Sequence, residues 1–294
     1  MTPDKPEQSS WTHREAVVNG VRLHYVEAGD GPLVVLLHGF PEFWYSWRYQ
    51  IPALAAAGFH AIAPDMRGYN ESDKPAGIHN YRVSILADDI AGLIRYAGAQ
   101  RAAVVGHDWG GAVAWYMPIR HPQVVEKLIV LNAPHPHAFA RELKTLAQLR
   151  KSWYIFFFRL PWLPEASIRA FNYAAIDRAL RRDPVRPGAF SPADIQRYKQ
   201  ALAQPGALTA AINYYRALFR RGPRRTTRGA SQIDAPALLI WGEQDRYLGL
   251  RLTEGLEQWM PHIQVARIPN ASHWVQVDAP QRVNELLIGF LRRA

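Results

Sequence analysis

The chain has 294 residues, 48% of them hydrophobic, a formal net charge of +10 and zero cysteines. That length admits one large α/β domain or two smaller ones, and the missing cysteines exclude disulfides, a thiol nucleophile and cysteine-ligated metals. No apolar run reaches the roughly eighteen residues of a membrane span, and the polar start, Met1 to Ser10, lacks the apolar stretch of a signal peptide, so a loose tail and a cytoplasmic address are the default expectations.

Taken in chain order, the first half alternates strand and helix signals, as parallel-sheet α/β folds do. Glu15–Val18 and Val21–Glu27 flank Asn19-Gly20, a two-residue hairpin signal. Leu33–Leu37 reads as a buried strand ending at His38-Gly39, and Ser46–Ala57 as a helix closed by Gly58. His60–Ala63 is the next strand. Tyr81–Tyr96 carries Ile85, Leu86, Ile90, Leu93 and Ile94 at helical spacing. Ala102–Val105 is a strand, Ala112–Arg120 a helix, and Leu128–Leu131 a further strand.

The alternation then stops. From His135 to Thr227 the chain is aromatic, arginine-rich and helical in pattern, broken by Pro161, Pro164, Pro184, Pro187 and Pro205. An insertion this long needs structure of its own. The sequence from Arg141 to Arg228 holds eighteen Lys/Arg against five Asp/Glu, while the rest holds seventeen against twenty. The densest run, Arg220 to Arg228, reads as a solvated linker, with an anionic surface or polyanion as the alternative. No nucleic-acid motif accompanies it, so nucleic acid is not an expected partner. Strand signal returns at Ala237–Trp241, followed by a helix over 252–259, a strand over 265–268 and a closing helix over 283–291. The expected architecture is a mostly parallel sheet flanked by helices, built from residues 1–134 and 228–294, with residues 135–227 as an inserted helical cap.

The chemistry is concentrated at Gly106-His107-Asp108-Trp109-Gly110-Gly111, between a strand and a helix. Small residues around a central side chain at such a junction form a nucleophile elbow, which throws that side chain into the site. Here the central residue is aspartate. A serine attacking a saturated carbon gives an ether that base and water cannot cleave, whereas a carboxylate gives an ester that they can. Asp108 therefore points to substitution at an sp3 carbon. Two later strand ends converge on the same crevice, Gly242-Glu243-Gln244-Asp245 and Pro269-Asn270-Ala271-Ser272-His273. The order nucleophile, acid, histidine assigns Asp245 to orient His273, and His273 to deprotonate water. His107 reads as a packed, hydrogen-bonded residue. His135 and His137 lack metal-ligand spacing with nearby acids, and neither metal nor cofactor is expected.

Three segments carry a family resemblance: His38-Gly39-Phe40-Pro41-Glu42-Phe43-Trp44-Tyr45-Ser46-Trp47-Arg48, the elbow, and Ser152-Trp153-Tyr154-Ile155-Phe156-Phe157-Phe158. The chain resembles the epoxide-hydrolase branch of the α/β-hydrolase superfamily over nearly its whole length after the tail. Asp65-Met66-Arg67-Gly68-Tyr69-Asn70-Glu71-Ser72 also fits, with Asn70 where a glycine is usual. The resemblance implies an oxyanion hole from the backbone N–H groups of Phe40 and Trp109, a cis peptide before Pro41, and a pocket lined by Phe40, Pro41 and Trp109. It also implies two cap tyrosines, Tyr154 and Tyr215, that assist departure of the ring oxygen, with Tyr214 as a rival to Tyr215. Tyrosine suits the task because its ordinary pKa of about 10 keeps it protonated at neutral pH. The expected reactants are a small apolar epoxide and water, on a monomer or homodimer. Two other readings compete: a haloalkane-type dehalogenase with the same Asp/His/Asp set, and a non-enzymatic ligand-binding regulator on the same fold.

Overall fold

The computed structural model describes residues 11–218, 220 and 233–293. The expected tail, residues 1–10, most of the basic run and the expected 227/228 boundary lie outside the described residues. Among the described residues eight strands form one sheet: β1 (Thr12–Val18), β2 (Val21–Ala28), β3 (Leu33–Leu37), β4 (His60–Pro64), β5 (Ala102–His107), β6 (Val125–Leu131), β7 (Ala237–Gly242) and β8 (Ile263–Ile268). Their order is β1-β2-β4-β3-β5-β6-β7-β8. β1 and β2 are antiparallel, as are β2 and β4, and all other pairs are parallel. The Asn19-Gly20 turn has positive φ at both residues, 48° and 71°, as the tight hairpin requires.

The sheet is covered on both faces. In β3, Leu33, Val35 and Leu37 join the cluster under α2 (Val83–Tyr96) and α3 (Trp109–Arg120), whereas Val34 and Leu36 join the opposite cluster with α1 (Gln50–Ala56). This two-sided burial is why the strand reads as an unbroken apolar run. Each such side chain contributes about 1.5–3 kcal/mol relative to exposure.

Among the described residues between β6 and β7 lie six helices: α4 (Pro136–Glu142), α5 (Leu146–Lys151), α6 (Trp153–Phe157), α7 (Leu163–Arg182), α8 (Pro192–Ala203) and α9 (Ala207–Leu218). Ser191 and Asp194 close a reciprocal capping box at the start of α8. The chain ends with α10 (Val275–Asp278) and α11 (Pro280–Leu291), whose Val283 and Leu287 pack with Ile51 and Leu54 of α1.

Two expected helices are corrected. The segment 46–57 divides into a 3-10 turn, Trp44–Trp47, and α1, which places Pro52 in the first helical turn, where a missing N–H costs nothing. No α-helix forms over 252–259. A 3-10 turn, Leu250–Thr253, ends at the extended Glu254, and Gly255 has φ +66°. The apolar spacing there serves turn residues such as Leu252, Leu256 and Met260, which are buried against the core.

Candidate active site

Glycines make the elbow possible. A Cβ on Gly106 would lie 2.2 Å from the Gly110 carbonyl oxygen, and one on Gly110 would lie 2.1 Å from that of Leu37. Asp108, between β5 and α3, has φ +49° and ψ −117°. Such a conformation costs an L residue about 1–3 kcal/mol and persists only where its surroundings hold it. A Cβ on Gly39 would strike Asp108 Oδ1 at 2.5 Å, so Gly39 lets the loop after β3 close over the carboxylate. There the Phe40 N–H donates to Asp108 Oδ1 at 2.8 Å, and the Phe40–Pro41 peptide is cis. Trp109 opens α3, so its N–H belongs to the first turn, whose donors have no partner inside the helix.

Asp245 follows β7 and His273 follows β8. His273 Nδ1 lies 2.7 Å from Asp245 Oδ2, and its Nε2 lies 3.6 Å from Asp108 Oδ2. The second distance exceeds a hydrogen bond and leaves the imidazole facing the nucleophile without clasping it. Burial opposes charge on all three groups. For Asp108, the close approach and charge of His273, with the Phe40 N–H, outweigh burial and hold the carboxyl below its ordinary pKa. For Asp245 the charge and hydrogen bond of His273, with Asn132 and the Leu248 N–H, do the same. For His273 the two carboxylates overcome burial and raise its pKa to about 10. The resting arrangement is thus an imidazolium between two carboxylates.

The inserted helices supply the roof. Tyr154 (α6) and Tyr215 (α9) stand with ring centroids 6.0 Å apart, and both line cavities that contain Asp108. Burial, then the Asp108 charge, raises both phenols well above their ordinary value, so both are protonated donors. Tyr214 is directed elsewhere: its hydroxyl donates to the Arg67 carbonyl at 2.7 Å. Two lobes meet at Asp108, Tyr154 and Tyr215. One, of about 360 Å³, is walled by Trp109, Phe139, Leu143, Phe156 and Leu248. The other, of about 400 Å³, is walled by Phe40, Pro41, Phe157, Ile176 and His273. Among the described residues no group of three or more His, Cys, Asp or Glu side chains is placed to hold a metal ion.

The structure thus brings together Asp108, Asp245, His273, Tyr154, Tyr215, Phe40, Pro41 and Trp109. It adds residues that the sequence reading did not single out as functional. Asn132 follows β6 with φ +38°, and its Nδ2 donates to Asp245 Oδ2 at 2.8 Å while its Oδ1 accepts from Gly242 N at 2.8 Å. The N–H groups of Tyr247 and Leu248 donate to Asp245 Oδ1 at 2.7 and 2.9 Å. Beneath the site, buried His107 places Nδ1 2.6 Å from Glu42 Oε2 and Nε2 2.8 Å from the His273 carbonyl. Glu42 Oε2 also accepts from Gly39 N at 3.1 Å, which links the loop of Phe40 to the loop of His273. The inserted segment grips the loop of Asp245: Lys151 Nζ donates to the Asp245 carbonyl at 2.6 Å, and Tyr247 donates to Asp183.

The contact to Asp245 makes Asn132 a positioning residue with a testable signature. Asn132→Asp places a second carboxylate beside Asp245 and raises the proton affinity of the pair. The low-pH limb of turnover should then move to higher pH, and Asn132→Ala should lower kcat by about tenfold or more with little change in KM. An unchanged pH–rate profile in Asn132→Asp would refute that role.

Residues 32–280 match the α/β hydrolase fold family. The chain is 47% identical to the AB hydrolase superfamily protein YfhM of Bacillus subtilis (strain 168), over 93% of this chain and 96% of that protein. It is 40% identical to Epoxide hydrolase 3 of Xenopus tropicalis, over 93% of this chain and 76% of that protein. The crystal structure of the Bacillus megaterium epoxide hydrolase in complex with an inhibitor superimposes with a TM-score of 0.86 at 34% identity, covering 95% of this chain and 100% of that one.

Proposed function

We propose, from the premise that this chain belongs to the α/β-hydrolase family and to its epoxide hydrolases, that it opens a small apolar epoxide through an ester on Asp108 and releases a vicinal diol. The observation that carries this reading is the facing of one carboxylate by two unlike sets of groups. Below stand the Phe40 N–H and the Asp245–His273 pair; above stand two protonated tyrosines.

With Oδ1 held by the Phe40 N–H, Oδ2 is the free nucleophile. It attacks one epoxide carbon, the C–O bond breaks, and its electron pair moves to the ring oxygen, which takes a proton from Tyr154 or Tyr215. Esterification removes the Asp108 charge. His273 then loses one of the two carboxylates that hold its proton, its pKa falls, and the proton it sheds returns the phenolate left by ring opening to phenol. The neutral imidazole takes a proton from water, hydroxide attacks the ester carbonyl, and the N–H groups of Phe40 and Trp109 bear the charge that develops on oxygen. Collapse of this adduct breaks the bond to the substrate oxygen, which takes the proton carried in by hydroxide, so the diol leaves and Asp108 is again a carboxylate. In the same reading, residues 135–227 are a cap on a core made of residues 1–134 and 228–294, the protein works in the cytoplasm as a monomer or homodimer, and no cofactor takes part.

The test is a parallel assay on a phenyl-substituted epoxide and a haloalkane, read as diol and as free halide. Diol without halide is expected. Halide without diol would replace epoxide opening by dehalogenation, and ligand binding without either product would replace catalysis by a binding role.

A further inference from the structure

Eight of the eleven exposed large apolar side chains among the described residues lie between Leu146 and Leu218. Five of them, Trp153, Phe156, Leu160, Trp162 and Leu163, fall within one short stretch of α6 and the start of α7. A cluster of this kind marks an interaction surface, whereas single exposed apolar residues do not.

Two rings stand out. Trp162 is 73% exposed and Phe171 is 93% exposed. Both have left-handed backbone, with φ of 47° and 50°, a conformation that disfavours side chains and here displays the ring instead of burying it. Each ring borders a cationic groove. Trp162 lines one of about 460 Å³ with Arg159, Arg220 and Arg216, the last ion-paired with Glu165. Phe171 lines one of about 420 Å³ with Arg178, Arg181, Arg182 and Lys199, where Asp177 is the one acid.

We propose that the inserted helices seat on an anionic phospholipid surface, with Trp162 and Phe171 entering the acyl boundary and groove cations meeting headgroup phosphates. Aromatic rings interleaved with arginines are the composition of an interfacial membrane contact. Charge decides between occupants. The sequence from Arg141 to Arg228 carries eighteen cations against five acids, so a second copy would set like charge against like, whereas anionic lipid is complementary. The location gives the contact a use. Trp153, Phe156 and Leu218 are exposed and also line the two cavity lobes, so the lobes reach the surface within this patch. An apolar compound dissolved in the bilayer then enters without crossing water. The docking itself does not depend on the epoxide reading.

Flotation of the full chain with vesicles tests it. Binding to phosphatidylglycerol-containing vesicles should exceed binding to pure phosphatidylcholine vesicles by roughly tenfold or more and should weaken at high salt. The double variant Trp162→Ser/Phe171→Ser should lose roughly tenfold in vesicle binding, and its unchanged turnover of a water-soluble epoxide and unchanged thermal unfolding would show that it is folded. Equal retention on both vesicle types, full retention by the variant, or a dimer in solution that the variant dissolves while vesicles bind nothing would each overturn the proposal.

Discussion

Replacing His273 with glutamine should yield a protein that reacts once and stops. Asp108 keeps its Phe40 donor and its access to the cavity, so the first displacement proceeds. In the proposed mechanism the base that activates water is then missing, and steady-state diol formation should fall by about 10⁴-fold or more, the scale seen when a triad member is removed. Intact-mass analysis should find the chain heavier by one substrate, with the added mass on the peptide containing Asp108. Free diol at the normal rate, or no adduct despite binding, would separate His273 from ester cleavage. The pH dependence has a definite sign. In the resting protein Asp108 is ionised across neutral pH, because its pKa is held below the ordinary value, and His273 is protonated up to about 10. Alkylation is therefore flat over the neutral range. Ester hydrolysis needs neutral His273 and should rise with pH through the imidazole pKa of the alkylated protein, which lies below 10 because one carboxylate has been neutralised.

The second large effect concerns ring opening. Tyr154→Phe and Tyr215→Phe each keep a ring and remove one hydroxyl, so packing is conserved. An alkoxide leaving without a donor loses the stabilisation that a positioned acid supplies, about 10²–10⁴-fold. Each single variant should lose about 10–100-fold in alkylation rate, because the other tyrosine still donates, and the double variant should lose at least about 10³-fold, or about 4 kcal/mol in barrier. The loss belongs to the first step, so no ester accumulates, the reverse of the His273→Gln result. A double variant that changes KM alone would leave the tyrosines as packing residues.

These assignments divide by how locally each is encoded. The elbow can be read from residues because a strand, two close-approach glycines and a helix follow one another within a short segment. Asp245 and His273 can be read because carboxyl ends of parallel strands converge. Tyr214 and Tyr215 could not be ranked by spacing alone, since both lie in α9 and only packing fixes which one faces Asp108. Tyr214 packs against Tyr69 and Tyr81 and is tied to the Arg67 carbonyl, which leaves the cavity to Tyr215. Asn132 had no motif to announce it; its meaning lies in a contact to Asp245, 113 residues away in sequence. Glu42 and His107 stood inside quoted motifs, but their pairing across 65 residues emerges only when β3 and β5 lie side by side. The expected helix over 252–259 does not form, because the chain turns extended at Glu254 and takes a positive φ at Gly255 despite its apolar spacing.

The central claim is that the first new bond to substrate carbon is made by Asp108 and not by water. A single turnover in oxygen-18 water, with protein in excess over epoxide, tests it directly. The ester path delivers an Asp108 oxygen to the diol and leaves the water oxygen on the carboxylate, so the account predicts unlabelled diol and a labelled Asp108 peptide. Fully labelled diol from that first turnover, with Asp108 unlabelled, would contradict it.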